Sequence, residues 1–453
     1  SIESFLPNTS REVEEMLTEI GVNSFDDLVR DIPREVRLDR PPYNDQPLSE
    51  LEVRDVLEEL ARKNASCSDW ICFMGGGAYD HFIPAVVDEI GSRSEFYTAY
   101  TPYQPEISQG TLQTIYEFQT MIAELTGMEV ANASLYDGGA AIAEGVLMAA
   151  SITGRHKVIV SGCVNPLRLA VLRAYLRASG LKIQVTKVVE GVTSHEEVAQ
   201  ALDDQTVCVV VENPNFFGVI EDCSGLEGMI HSSGALFIVS ADPISLGLIS
   251  PPGEYGADIV VGEGQVLGNP LSFGGPYLGY LATKKKYIRK IPGRIVGKTV
   301  DVNGNTCFCL TLQTREQHIR RERATSNICT NEALNALRAT IYLSWLGRRG
   351  VRELCERCLS KAYYASRRFQ EEGLSLVFDK PFFREFAIDL GMSARIVFEN
   401  LLSKKILCGI PLGWFYPQFE NCLLVAFTEK RKKSEIDLLV EEIGKQVKAR
   451  STE

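Results

Sequence analysis

Helical stretches that alternate with short β-rich runs, two of them apolar from end to end, predict an α/β protein built on a mixed, mostly parallel sheet. Flanking patterns complete the layout. We expect a helical N-terminal arm over residues 1–60, a large α/β domain over 61–330 and a small C-terminal α/β domain over 331–453. The 453 residues, 45% hydrophobic and 23% charged, suffice for such a core.

In the arm, Thr9 to Glu12 reads as a capping box ahead of an apolar-periodic run, and Ser49 precedes a second run from Leu51 to Leu60. Pro-rich chain connects them. An arm too small for its own core is expected to pack over a neighbouring domain or subunit. From about residue 110 the predicted strands are Lys157–Val160, Lys182–Val188, Thr206–Val211, Ala235–Val239, Asp258–Val261 and Tyr277–Ala282. Val207–Val211 and Leu236–Val239 are continuously apolar, as central strands covered on both faces should be. Helices are expected over Ala333–Leu346 and Val351–Glu372. Strands near Arg384–Asp389 and Leu423–Phe427 and a last helix from Ser434 to Val447 then make the small domain.

Composition excludes several functions. A net charge of −12 argues against nucleic acid or an anionic membrane as partner, because either needs a basic face. No apolar run approaches the roughly 18 to 20 residues of a membrane span. The acidic, helical start lacks the layout of a targeting segment, so the expectation is cytoplasmic residence. The close cysteine pairs, Cys307/Cys309 and Cys355/Cys358, lack the second pair a zinc site requires. The dispersed histidines form no metal-binding motif, and no serine sits in a G-x-S-x-G elbow, so no metal is expected.

Glycine runs at 75–77 and 262–264 follow strands but lack the G-x-G-x-x-G spacing and helix of a dinucleotide site. At 136–144, Gly138 and Gly139 open a helix whose free N–H groups suit an anion. The alternative is close helix–sheet packing. Asp242 ends an apolar strand and Asp258–Val261 forms the next, an order that resembles fold type I pyridoxal-phosphate (PLP) transferases. There the aspartate pairs with the pyridinium and a lysine beyond the next strand forms the Schiff base. That lysine position falls at Gln265, which cannot form an imine. Lys284, Lys285 and Lys286 come one strand later and read as a solvated turn. Asp242, Gly138 and Gly139 are therefore expected to mark a vestigial cofactor site.

Two further segments invite function. Residues 97–110 contain three tyrosines and two prolines, and the prolines bias the preceding residues toward extended backbone. A rigid polar loop of that kind suits an active-site rim or an interface; the alternative is a connecting loop. The arginines around Arg320 and Arg321, followed by Thr325, Ser326 and Asn327, offer guanidinium groups and hydroxyls for a phosphate or carboxylate, or else form a solvated face.

Together, the segments at 100–110, 136–141, 256–262, 273–276 and 325–330 resemble glycine decarboxylase, the P-protein family of the glycine cleavage system, over nearly the whole chain. Length and order fit the N-terminal half of the long single-chain form, which in many bacteria and archaea is a separate subunit. The resemblance implies a PLP transferase of fold type I whose second, homologous subunit bears the lysine and PLP. It implies an α2β2 tetramer, a lipoylated H-protein as acceptor and glycine as substrate. It also implies a glycine dehydrogenase (aminomethyl-transferring), an oxidoreductase acting on CH–NH2, active only with that second subunit, with no cofactor on this chain. By analogy Tyr97, Tyr100, Tyr103, Glu106, Ser108, Phe273, Gly274 and Gly275 would wall the partner's active site. The competing readings are a self-sufficient PLP aminotransferase or decarboxylase using Lys284 to Lys286, and a non-catalytic binding or regulatory protein.

Overall fold

A computed structural model describes residues 8–38, 47–97, 100–324 and 326–450. The chain divides at Ala65/Ser66 into two units. In the first, helices α1 (Ser10–Ile20) and α2 (Glu50–Ala61) both begin at capping boxes. Thr9 Oγ1 accepts the Glu12 N–H at 3.3 Å while Glu12 Oε2 accepts the Thr9 N–H at 2.6 Å, satisfying two donors a helix start otherwise leaves free. Neither helix has a buried residue, and Met16, Ile20, Leu57 and Leu60 are exposed.

The second unit is built on a seven-stranded sheet. Its strands are β1 (Val130–Ala131), β2 (Lys157–Val160), β3 (Lys182–Val185), β4 (Thr206–Asn213), β5 (Leu236–Ala241), β6 (Ile259–Glu263) and β7 (Gly279–Thr283). They lie in the order β3-β2-β4-β5-β6-β7-β1, parallel except that β7 runs against both neighbours. Every residue of β4 and β5 is buried, which is why both strands lack polar alternation.

Helices α4 (Gly138–Thr153) and α5 (Pro166–Leu176) pack on one face of this sheet and α3 (Gln109–Thr126) on the other. Helix α4 is rich in Gly and Ala and buried around most of its circumference, which small side chains permit. A Cβ on Gly145 would already stand 3.2 Å from Val261 Cγ1.

Beyond the sheet, β8 (Ile295–Val300) and β9 (Thr306–Thr311) pair as a hairpin that sequence reading did not foresee. Helix α6 (Ala333–Glu371) joins the two helices expected from the sequence, and they break at Gly347, whose φ of 60° and ψ of 179° leave the helical region. Strands β10 (Ser375–Leu376), β11 (Glu385–Asp389), β12 (Ile410–Pro411) and β13 (Cys422–Ala426) form an antiparallel sheet in the order β10-β11-β13-β12, followed by α7 (Lys433–Arg450). The strand expected over Lys182–Val188 is shorter. It stops at Val185, and Val188–Val189 turns back on Val192–Thr193 through Glu190 and Gly191, both at positive φ, as a two-residue hairpin turn requires. Among the described residues, no helix is long and apolar enough to cross a membrane.

Candidate functional site

The C-terminal ends of β4, β5 and β6 open on a cleft closed from the other side by residues 76–81 and by Arg384 and Glu385. Parallel α/β sheets place ligands at this edge. Two charge clusters occupy it here.

The first lies at the start of α4. Asp137 caps the helix, accepting the Ala140 N–H at 2.7 Å. The Gly138 N–H donates to Glu263 Oε2 at 2.9 Å, while Glu263 Oε1 accepts from the N–H groups of Gln265 and Leu278, each at 2.9 Å. A carboxylate of the chain itself therefore occupies the anion position predicted for 136–141. Beside it, Arg168 Nη1 donates to Glu212 Oε1 at 2.7 Å. Burial pushes the Glu263 and Glu212 carboxyls above their ordinary range, against the backbone donors and the Arg168 charge. Burial also works against the Arg168 charge, but Glu212 and Glu263 keep it protonated.

The second cluster surrounds Asp242. Its Oδ2 pairs with Arg384 Nη2, and its Oδ1 accepts the Ile244 N–H at 2.9 Å. The Arg384 side chain is 2% exposed and its guanidinium lies 3.4 Å from the centroid of the Tyr79 ring. Arg384 Nη1 donates to His81 Nε2 at 2.6 Å, which places the ring proton on Nδ1, where it is given to Glu429 Oε2 at 2.6 Å. Burial would raise the Glu429 carboxyl, yet the hydrogen bonds from His81 and from the Phe82 N–H bring it well below its ordinary range. Tyr79 Oη donates to Glu385 Oε1, and the Gly76 N–H to Glu385 Oε2 at 2.9 Å. Burial nevertheless pushes the Glu385 carboxyl up to about 7.

Gln265, at the position of the missing lysine, is 1% exposed. Its Oε1 accepts the Tyr79 N–H at 3.0 Å, and its Nε2 donates to the carbonyls of Tyr79 at 3.2 Å and Asn269 at 2.8 Å. These residues do not fit PLP. The pyridinium partner is engaged by Arg384, the phosphate donor by Glu263 and the lysine position by an amide. The void left among them is about 20 Å3, room for about one water, whereas ligand pockets run to about 300–1,000 Å3.

The alternative nucleophiles lie elsewhere. Lys284 is no solvated turn residue, because its Nζ pairs with buried Asp258 at 2.7 Å. Asp258 precedes β6 and Glu263 ends it, so Lys284 stands at the opposite end of the sheet, about 16 Å from the cleft by strand rise. Gly138 supports the helix–sheet packing alternative, because a Cβ there would lie 3.0 Å from Glu263 Cβ, whereas Gly139 packs against a helix, a Cβ there falling 3.0 Å from Val171 Cβ on α5.

The expected rim residues are not in this cleft. Tyr97, Tyr100, Tyr103 and Glu106 are exposed, whereas Ser108 is only 6% exposed, at the start of α3. Gln109 fixes the loop to the β9 backbone, donating to the Phe308 carbonyl and accepting its N–H, both at 2.9 Å. The Tyr103 ring packs 5.8 Å from the Arg294 guanidinium and 6.0 Å from the His318 ring. Arg294 in turn donates to Asn331 Oδ1 and the Cys329 carbonyl, tying the loop to the segment after the arginine cluster. Phe273 stands 86% exposed on a tight turn where it, Gly274 and Gly275 all have positive φ. Arg320, Arg321 and Asn327 are exposed; Ser326 Oγ accepts the Ile328 N–H at 3.1 Å, and Thr325 lies outside the described residues.

Sequence reading missed Tyr79, Arg168, Glu212, Glu263, Arg384 and Glu385. The signal for the last two was present: Phe382-Phe383-Arg384-Glu385-Phe386 places two charges inside an aromatic run, where charges stay only if paired. It missed His81, Cys358 and Glu429 as well, whose ligand atoms lie within 4.8 Å of one another. With both His81 nitrogens engaged, this trio reads as a hydrogen-bonded support for Arg384.

Known proteins resemble this chain along nearly its whole length. The family model described as glycine cleavage system P-protein matches residues 3–443. A protein named probable glycine dehydrogenase (decarboxylating) subunit 1, from Chlorobium phaeobacteroides, is 53% identical over 97% of this chain and 99% of its own length. One of the same name from Bacillus cytotoxicus is 51% identical over 97% of this chain and 98% of its own. A crystal structure of glycine decarboxylase (P-protein) in inhibitor-bound form superposes with a TM-score of 0.86 at 44% identity, covering 97% of this chain and 99% of that one. An alanine–glyoxylate aminotransferase from Nostoc sp., at 16% identity and TM-score 0.56 over 91% of this chain and 99% of its own, shares the fold alone.

Proposed function

The chain belongs to the glycine cleavage system P-protein family, and from that premise we propose that it is the cofactor-free member of a two-subunit glycine dehydrogenase (decarboxylating). The activity is that of the family: loss of CO2 from glycine and transfer of the aminomethyl group. The second, homologous subunit would hold PLP, which supplies the electron sink for decarboxylation. The observation that carries this division is Gln265 in the lysine position, locked to Tyr79 by both backbone groups.

This chain's part is to complete the partner's site. Tyr97, Tyr100, Tyr103, Glu106, Phe273, Gly274 and Gly275 offer an exposed surface, and such a wall would exclude water from a reacting carbanion. The exposed apolar faces of α1 and α2 suit cover for a second chain, and two such pairs would make an α2β2 tetramer with lipoylated H-protein as acceptor. The self-sufficient enzyme is disfavoured because Lys284 lies at the wrong end of the sheet.

The test mixes the purified chain with the lysine-bearing subunit, lipoylated H-protein and glycine, and follows CO2 release. Activity only in the mixture is expected; activity of this chain alone, or none in the mixture, would overturn the reading.

A further inference from the structure

We propose that Arg384 and Glu263 are internal counterions that stand, with matching sign, where the ring nitrogen and phosphate of a cofactor would be, and so convert the cleft into a fixed clamp between the two sheets. This goes beyond the subunit assignment and does not depend on it.

The replacement is local at both ends. A guanidinium supplies the positive charge that Asp242 faces, and a carboxylate supplies the negative charge at the first N–H of α4. Each group has further partners that hold it there. Arg384 is covered by the Tyr79 ring and fixed by His81, and Glu263 accepts from three backbone N–H groups.

The clamp follows from where these residues sit in the chain. Asp242 follows β5 of the large sheet, whereas Arg384 precedes β11 of the small one. Tyr79 and His81 belong to a third segment, which Gln265 at the end of β6 holds by both backbone groups. Gly218 adds a backbone contact between the sheets: its carbonyl accepts the Phe383 N–H at 3.1 Å. Separating the sheets would leave a buried guanidinium and a buried carboxylate without partners, which is strongly unfavourable. A cleft held in this way resists opening.

The experiment is thermal unfolding of the full chain and its variants, with and without millimolar inorganic phosphate or pyridoxal 5′-phosphate. For the wild type, neither probe should move the melting temperature; a rise with either overturns the proposal. Arg384→Met and Asp242→Asn should each lower it by about 5 °C. The double variant should lose clearly less than the two together, since it removes both charges. Losses that simply add overturn the clamp. Glu263→Ala frees the Gly138 N–H, and inorganic phosphate should then raise that variant's melting temperature; no response overturns the replacement. The outcomes separate from the subunit assignment, because CO2 release by wild-type chain with its partner tests that assignment and leaves the clamp aside.

Discussion

Gln265 grips Tyr79 at both backbone groups, accepting its N–H at 3.0 Å and donating to its carbonyl at 3.2 Å. A lysine at 265 could donate but not accept. Gln265→Lys should therefore leave the buried Tyr79 N–H unpaired beside a buried ammonium, at about 3 kcal/mol. The melting temperature should fall, and added PLP should give no borohydride-fixable visible band. A stable aldimine on this variant would contradict the filled cleft.

Glu144 lies in α4, and its Oε2 has no hydrogen-bond partner. Burial pushes its carboxyl up to about 7, against a hydrogen bond from Ser326. The folded chain then binds a proton that the unfolded chain releases near pH 4.5. Stability contributed by this proton is full below pH 4.5, is lost as pH rises to about 7, and changes no further above that, an effect of about 3 kcal/mol. Glu385, also pushed up to about 7, acts in the same window. Glu144→Gln should raise the melting temperature at pH 8 more than at pH 5; equal shifts at both pH values would refute the assignment.

Phe273 is 86% exposed. Phe273→Ala should change the stability of the isolated chain by no more than about 0.5 kcal/mol. If its turn lines the partner's site, CO2 release by the mixed subunits should drop by at least about tenfold. Undiminished release would remove Phe273 from the wall.

Gly218 combines a φ of 82° with a Cβ direction that points into the Glu385 carbonyl. Gly218→Ala should destabilise the chain by about 4 kcal/mol or more, read as loss of soluble protein or a large fall in melting temperature. A soluble variant that melts like the wild type would show that the sheets do not approach as closely as described.

Much of the fold was legible because local chemistry and tertiary context agree there. The capping boxes of Thr9 and Ser49 depend on residues three apart, and the apolar strands β4 and β5 announce burial on both faces. Short elements were not legible. β1 and β12 have two residues each, too few to show a period, and only pairing partners make them strands. In the hairpin β8–β9 three successive exposed residues, Lys298, Thr299 and Val300, blur the alternation.

The sequence by itself determined the family, the order of α/β elements and the absence of a lysine at 265, because these rest on residue identity and local spacing. Only the tertiary structure decided what fills the cleft. Arg384 and Asp242 are 142 positions apart, Glu263 and Gly138 are 125 apart, and Tyr79 and Gln265 are 186 apart. No local period links such pairs. They meet because three strands end at one sheet edge while a distant strand and a strap are folded over it, and buried charges brought there must find one another.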